Sequence, residues 1–587
     1  MILRGPPQPA ARHRTLAHAL VAAARSRSGV TFVDLREREE TVPWSELLAR
    51  AERSAANLAG LGVREGDRVA LVLRTEPAFL GAFFGTWLAG AVPVPLYPPV
   101  RLGRMDEYLR ATSRMIAASG ARLVLSAGGT RRLLGAAVEE AKPPLGCVDA
   151  ESLDALPARL RRLPEPEALG LVQFSSGSTV DPRPVALTHA ALGAMADALV
   201  EGTRPDGRDV LVSWLPLYHD MGLIGALLGA MSYPGPLVLI PPEHFLARPA
   251  LWLRAVARHR ATLSPAPSFA YAYAADRVRD EELARASLAT WRLALDGAEQ
   301  VSAEAMRRFA GRFRAHGFDP AALVPAYGLA EAALAVTFGR PGGRLEGRRV
   351  DPVRLAREGV VSPGAREVVS VGTPLAGVEV EVRAGDGSPL PAERLGRIHV
   401  RGPALMREYL GDAPGTARAL RDGWLDTGDL GFVAEGELFV HGRAKDLVIV
   451  RGANHAPEEF EAPLGAVPGL RRGGAVALGC PGGEGDGEAL LLLAERARGA
   501  EEDDAVLAER ARRTVLEATG IQPDAIRILP PGTLPRTSSG KLRRQEALRR
   551  HLDGSLAPPR PAGPLRLALA AARSQLAYAR ARRRGVE

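Results

Sequence analysis

Five small residues, Ser175, Ser176, Gly177, Ser178 and Thr179, stand between two apolar stretches in LVQFSSGSTVDPRPVALTH, which starts at Leu171. Hydroxyls and successive backbone N–H groups at the end of a strand form a concave nest for an anion, and Gly177 lets a phosphate come close to the chain. The GxxxxGK[ST] spacing of a Walker A loop is absent. Taken alone, such a Ser/Gly stretch is more often an ordinary turn. A second signal is the use of lysine: of 76 basic residues only three are lysines, Lys142, Lys445 and Lys541. Where arginine is the habit, a lysine raises the question whether a compact ammonium is needed in place of a guanidinium fork.

Elements able to position such groups are visible along the chain. From Gly66, short β-rich runs alternate with helical stretches: GDRVALVL, EPAFLGAFFGTWLAG, AVPVPL, a helix to Ser119, then ARLVLSA. That alternation predicts a parallel α/β sheet with crossover helices. The rhythm resumes with LGLVQF and DVLVSWLP and gives way to a strand-rich portion between about 368 and 402, where a change of sheet is expected. After GELFVHGRAKDLVIV comes a small α+β unit of roughly a hundred residues. The expected organisation is an α/β protein whose large N-terminal domain, 1–443, packs mixed and parallel sheets with helices. A small mobile α+β domain spans 444–552, and a Pro-rich linker with a basic helical tail spans 553–587. The first 33 residues, rich in Ala and Arg, read as a leading helix.

Composition excludes several classes. A chain of 587 residues exceeds one hydrophobic core, and 46% apolar with 24% charged residues is ordinary for a globular protein. Two cysteines, Cys147 and Cys480, make neither a disulfide framework nor a metal cluster and fit a reducing cytoplasm. The apolar stretch MGLIGALLGAMSYPGPLVLI from Met221 is cut by Tyr233-Pro234-Gly235-Pro236, so it reads as helix, turn and buried strand and not as a transmembrane segment. The net charge of +9 is concentrated after position 552, where seven arginines face only Asp553 and Glu587. With no basic face in the body, nucleic acid is not an expected partner.

Seven stretches stand in order: the serine loop at 171, WLPLYHDMGLIG at 214, LDGAEQ at 295, PAYGLAEAALAVTF at 325, GWLDTGDLG at 423, GRAKDLVIVRGANHAPEEFE at 442 and LPRTSSGKLRR at 534. Together they resemble the adenylate-forming ligase superfamily from about residue 15 to 550. Within it the chain looks most like the fatty acyl-AMP ligases. HDMGLIG, APSFAYAYAADR at 266, Ala330 within YGLAEA, and a lengthened stretch between Glu331 and Gly372 all point to that branch, in which an inserted segment restrains the small domain.

The resemblance implies a fatty acid activated with ATP and Mg²⁺ to acyl-AMP, then passed to the phosphopantetheine arm of an acyl carrier protein acting in trans. Ser175, Ser176, Gly177, Ser178 and Thr179 would hold the ATP phosphates, and Glu331 would ligate the metal. Tyr327 would stack on adenine with Gly328, Gly297, Ala298 and Glu299 beside it, and Asp429 would accept ribose hydroxyls near Arg443. Lys541 would bridge the attacking carboxylate and the phosphate as charge passes to pyrophosphate. Lys445 would be the hinge, and His219 would sit against the acyl carboxylate and gate the thiol. Met221, Gly222, Leu223, Phe269 and Tyr271 are candidate acyl-tunnel residues, with an ordinary core as the other reading of the same side chains. The chain departs from the pattern at Val180, Arg183 and Pro184 in the serine loop and at Ser268.

Two rivals share these residues: a fatty acyl-CoA ligase with the same first half-reaction, and, more remotely, a basic nucleic-acid-binding protein on an inert ligase fold. The basic tail reads either as a docking arm for an acidic carrier or as a solvated helix.

Overall fold

Short apolar runs such as Leu237–Leu239 and Leu293–Asp296 are covered on both faces, and strands of that kind assemble side by side in parallel. The computed structural model describes residues 1–99, 104–154, 158–175, 182–450, 453–480, 488–537, 540–559 and 564–583. Six parallel strands, Leu323–Gly328, Leu293–Asp296, Leu263–Ala266, Leu211–Ser213, Leu237–Leu239 and Gly29–Val33, follow one another across the main sheet. Antiparallel strands extend it at both edges to nine. A second, four-stranded parallel sheet contains Val92–Leu96 at its edge. Pro93 and Pro95 have no N–H for a ladder, so an edge is where that strand can stand.

The strand Leu169–Phe174 departs from the parallel rhythm: it forms an antiparallel hairpin with Pro184–Thr188, and the serine loop is the connection. The expected change of sheet is present. Glu379–Arg383, Gly396–Arg401, Trp424–Ala434 and Glu437–Arg443 belong to an antiparallel sheet, completed by Leu420–Arg421 and Ile2–Arg4. That last strand corrects the expected leading helix. Only Leu16–Ala23 is helical in the first 33 residues, because GVTFV at 29–33 is an extended, β-branched run that pairs with Leu237–Leu239.

The helix, turn and strand expected after Met221 are also present. The helix is a π-helix over Met221–Leu228: Asp220 accepts from Met221 N at 2.7 Å at its start, and Gly229 N–H reaches back five residues to Ile224 O. No helix among the described residues is long and apolar enough to cross a membrane.

Beyond Asp446 the chain builds a separate apolar core. Leu470–Cys480, Ala489–Arg496 and Ala525–Leu529 form a three-stranded sheet, and the helices Pro457–Leu464, Asp504–Thr519 and Arg544–Leu552 pack around it. A final helix, Pro564–Arg583, lies against Gly135–Ala141 of the large part of the molecule.

Candidate active site

The hairpin strand Leu169–Phe174 delivers Ser175 to the sheet end. There Ser175 N donates to Arg183 O at 2.9 Å and Arg183 N to Ser175 Oγ at 3.2 Å, clipping together the two rims from which the serine loop leaves. Ser176, Gly177, Ser178 and Thr179 lie outside the described residues. The Arg183 guanidinium sits 4.9 Å from the centre of the Tyr409 ring, and Tyr409 OH donates to Glu331 Oε1 at 2.9 Å. Burial pushes the Glu331 carboxyl above its ordinary pKa, and that hydrogen bond opposes the push.

Strand ends of the main sheet supply the next wall. Tyr327 and Gly328 close Leu323–Gly328, while Gly297, Ala298 and Glu299 follow Leu293–Asp296. Ala298 is held at φ +69°, a strained conformation for a residue with a Cβ and one that concentrates at functional sites. Tyr327 OH donates to Asp429 Oδ2 at 2.7 Å, and Arg443 Nε meets Asp429 Oδ1 at 3.1 Å, so both carboxylate oxygens are fixed. Burial raises the Asp429 pKa, and Arg443 works against it. Glu299 accepts from Phe269 N at 2.8 Å, which makes its first task the anchoring of the helix Ser268–Arg277.

Lys541 reaches this wall from the small unit on a closed hairpin. Thr537 N donates to Lys541 O at 2.8 Å, Lys541 N to Thr537 Oγ1 at 3.1 Å, and Arg536 bridges to Leu542. Gly540 turns the chain at φ +97°, which glycine adopts without strain, and the Arg536 guanidinium grips its carbonyl at 2.9 Å. Burial draws the Lys541 pKa below the ordinary lysine value; the charges of Asp220 and Glu299 resist, Arg443 adds to the fall, and Asp429 resists. His219 Nδ1 stands 2.7 Å from Asp220 Oδ1, and its Nε2 is buried with no hydrogen-bond partner among the described residues. An Nδ1 proton given to Asp220 leaves Nε2 presenting a lone pair.

One cavity of about 440 Å³ joins these groups: Ser175, His219, Tyr327, Glu331, Arg443, Lys445 and Lys541 all line it. Apolar residues on and after the π-helix also line it. Met221, Gly225, Gly229 and Tyr233, four residues apart each time, form its wall, and a Cβ added at Gly229 would meet only Ile224 O, at 3.7 Å. Thr203, Asp209 and Tyr233 also line it, and Arg292 grips Asp209 with Nε at 2.9 Å and Nη2 at 2.8 Å.

Of the candidate tunnel residues, Met221 alone lines this cavity. Gly222 is pressed against the Pro216 carbonyl, and Leu223 belongs to the main core. Tyr271 is fully buried with its hydroxyl on Leu295 O at 2.9 Å. Phe269 lines a wider cleft between the two units, with its ring 5.9 Å from Trp214 and beside Gly540. Ser268, a departure from the family pattern, is buried between Asp296 and Ser302 N. Asp220 lies in the HDMGLIG motif, while Tyr409, Gly225, Gly229 and Tyr233 are cavity residues to which sequence reasoning gave no role.

The lengthened stretch after Glu331 folds as a hairpin, Gly347–Val350 with Arg366–Val369, around the helix Pro352–Glu358. Arg366 from this hairpin pairs with Glu459 of the small unit, whose other oxygen is 2.9 Å from His455 Nδ1. His441, fully buried behind them, has its pKa lowered to about 3 by burial, with Arg366 adding to the drop.

The AMP-binding enzyme family matches residues 20–410. A putative acyl-CoA synthetase of Caulobacter vibrioides is 35% identical over 92% of this chain and 96% of its own. The long-chain-fatty-acid–AMP ligase FadD26 of Mycobacterium marinum is 32% identical over 87% of this chain and 91% of its own. A structure from a study of fatty acyl-adenylate ligases of E. coli and L. pneumophila superposes with a TM-score of 0.88 at 35% identity, covering 93% of this chain and 99% of that one. A lysine, a tyrosine–carboxylate pair and an apolar groove meeting in one cavity agree with these likenesses, and the chain belongs to the AMP-binding enzyme family of ATP-dependent adenylate-forming ligases, on its fatty acyl-AMP ligase branch.

Proposed function

We propose that this protein adenylates a fatty acid with ATP and transfers the acyl group to the phosphopantetheine thiol of an acyl carrier protein supplied in trans. The observation that carries this reading is the position of Lys541, which lines one cavity with Tyr327, Glu331 and the groove that begins at Met221. A fatty acid in the groove directs its carboxylate toward His219 and Lys541. A carboxylate oxygen attacks the α-phosphorus, the bond to the bridging oxygen of pyrophosphate breaks, and pyrophosphate leaves with the electron pair. The Lys541 ammonium lies between two anions that would otherwise repel, and it needs no reorganisation as charge moves.

Asp429 and Tyr327 orient the ribose and the base, and the serine loop receives the phosphates. Glu331 lines the cavity with one oxygen on Tyr409, and its carboxylate is the kind of donor that would hold a Mg²⁺ ion shared with phosphate oxygens. Bound there, the metal would draw charge from the leaving pyrophosphate.

In the second step the unit 444–552 turns about Lys445 and removes Lys541. A thiol then attacks the acyl carbonyl, AMP departs, and the His219 Nε2 lone pair faces the thiol proton. The pairing of Arg366 with Glu459 supports a restrained small unit and hence a carrier in preference to free coenzyme A. An ATP-consuming reaction of this kind fits the cytoplasm. The test is pyrophosphate exchange across a series of fatty acids, followed by acyl transfer to coenzyme A and to a phosphopantetheinylated carrier. Acyl-CoA formed at the rate of adenylation would make coenzyme A the acceptor; no exchange with any fatty acid would sink the proposal.

A further inference from the structure

Two groups of contacts bind the lysine-bearing unit and the chain that follows it to one corner of the large unit. Both rest on neighbouring helices, Met105–Ser119 and Gly135–Ala141. In the first, Arg104 Nη2 lies 2.9 Å from Thr533 O and 3.4 Å from Gly532 O, just ahead of the lysine hairpin, and 3.5 Å from Ala557 O. One turn along, Glu107 takes both terminal nitrogens of Arg550, at 3.1 and 2.8 Å, and Glu546 aims that arginine through its Nε at 2.6 Å. A bidentate charge-assisted pair of this kind fixes orientation as well as distance.

The second group belongs to the tail helix Pro564–Arg583. Ser574 is 1% exposed, and its Oγ accepts from Gly135 N at 2.6 Å. Tyr578 OH donates to Arg131 O at 3.0 Å, with the Arg131 guanidinium 5.7 Å from the ring centre. Ala577 is buried in the same contact, and Arg580 stands 3.8 Å from Glu139. A Cβ on Gly135 would lie 2.5 Å from Ser574 Oγ and overlap the Ser574 carbonyl, so only glycine admits this approach. The tail is therefore docked along one face, through Ser574, Ala577 and Tyr578. Just four residues, 560–563, join Pro559 to Pro564, a connection reaching about 18 Å at most.

We propose that the docked tail helix and the Arg104–Glu107 corner form a strap that holds the small unit in the orientation with Lys541 in the cavity. Release of the strap governs how readily the thiol step follows acyl-AMP formation. This rests on the reading above in which that unit turns about Lys445. Turning carries Thr533, Arg550 and residues 553–559 away from Met105–Ser119, and a short tether to a docked helix opposes it. Arg104 and Glu107 touch no substrate; they are positioning residues that act through Lys541.

Full-length Gly135→Leu and Ser574→Arg variants undock the tail from opposite sides, the second without touching the large unit. Limited trypsin digestion reads docking, because the tail is rich in arginine. Pyrophosphate exchange reads the first half-reaction, and acyl transfer to coenzyme A and to pantetheine reads the second. Both variants are expected to lose the tail to trypsin while the wild type keeps it. Their ratio of transfer to exchange should rise about tenfold, the population shift produced by losing one or two such contacts. Glu107→Gln should raise the ratio with the tail still protected. A freed tail with an unchanged ratio overturns the strap, and so does a tail that stays protected in both variants. A wild type that exchanges no pyrophosphate overturns the adenylation reading itself, whatever trypsin reports.

Discussion

The two ends of the cavity are built on opposite plans. At the polar end, Tyr327, Glu331, Asp429, Arg443 and Lys541 come from separate elements of two units, and the carboxylates are already held: Asp429 by Tyr327 and Arg443, Glu331 by Tyr409, Asp220 by His219. At the apolar end one continuous stretch of chain, the π-helix and the turn after it, presents Met221, Gly225, Gly229 and Tyr233, and Gly229 leaves space for a Cβ. Charge development in a reaction rewards groups that are fixed beforehand, since nothing must then reorganise. A methylene chain makes no such demand and needs only a dry groove of the right length. Chemistry and specificity should therefore break independently.

The largest effect is expected at the polar end. Lys541→Ala should lower the adenylation rate by about 10²–10³, the cost of removing one preorganised charge at a transition state. ATP binding should change far less, because other groups hold the nucleotide. Pyrophosphate exchange and equilibrium ATP binding measure the two separately, and an equal loss of both would make Lys541 only a nucleotide ligand. The same lysine sets an alkaline limit. Its pKa is lowered by burial, and the charged form is the active one, so kcat/KM should fall as pH rises through a value below the ordinary lysine range. Lys541→Arg, inactive or not, should remove that limb from whatever rate remains.

At the apolar end, Gly229→Leu should cut activation of long acids by about 10- to 100-fold and leave short ones nearly untouched, in line with the 1–3 kcal/mol that a hydrophobic pocket assigns to small changes in fit. Uniform loss over the whole series would mean that the groove lies elsewhere. This end is also where the sequence was least legible. Tyr327, Glu331, Asp429, Arg443 and Lys541 stand inside local motifs whose order along the chain singles them out, whereas Tyr409 stands in none. Tunnel residues were sought beside HDMGLIG, which selected Gly222 and Leu223; a helix presents one face every third or fourth residue, and it is Met221, Gly225, Gly229 and Tyr233 that share it. Phe269 and Tyr271 are two apart on their helix and point apart: one meets the inter-unit cleft and the other the core. The β-branched GVTFV run was hidden by the Ala and Arg around it. The docking of the tail depends on Gly135, more than four hundred residues away, and no local pattern announces such a pairing.

The smallest effect tests whether the polar end is held as tightly as its hydrogen bonds imply. Tyr327→Phe keeps the ring that would stack on adenine and removes only the hydroxyl that donates to Asp429 at 2.7 Å. Losing one hydrogen bond to a charged acceptor amounts to about 1.5–3 kcal/mol, but Arg443 still holds the other oxygen of Asp429 and a ribose hydroxyl can replace the phenol. The expected outcome is a rise of about fivefold in KM for ATP with kcat nearly constant, the pattern of lost uniform binding. A fall in kcat at unchanged KM would place the tyrosine hydroxyl in the transition state, and the polar end would then begin one strand nearer the base than Lys541 suggests.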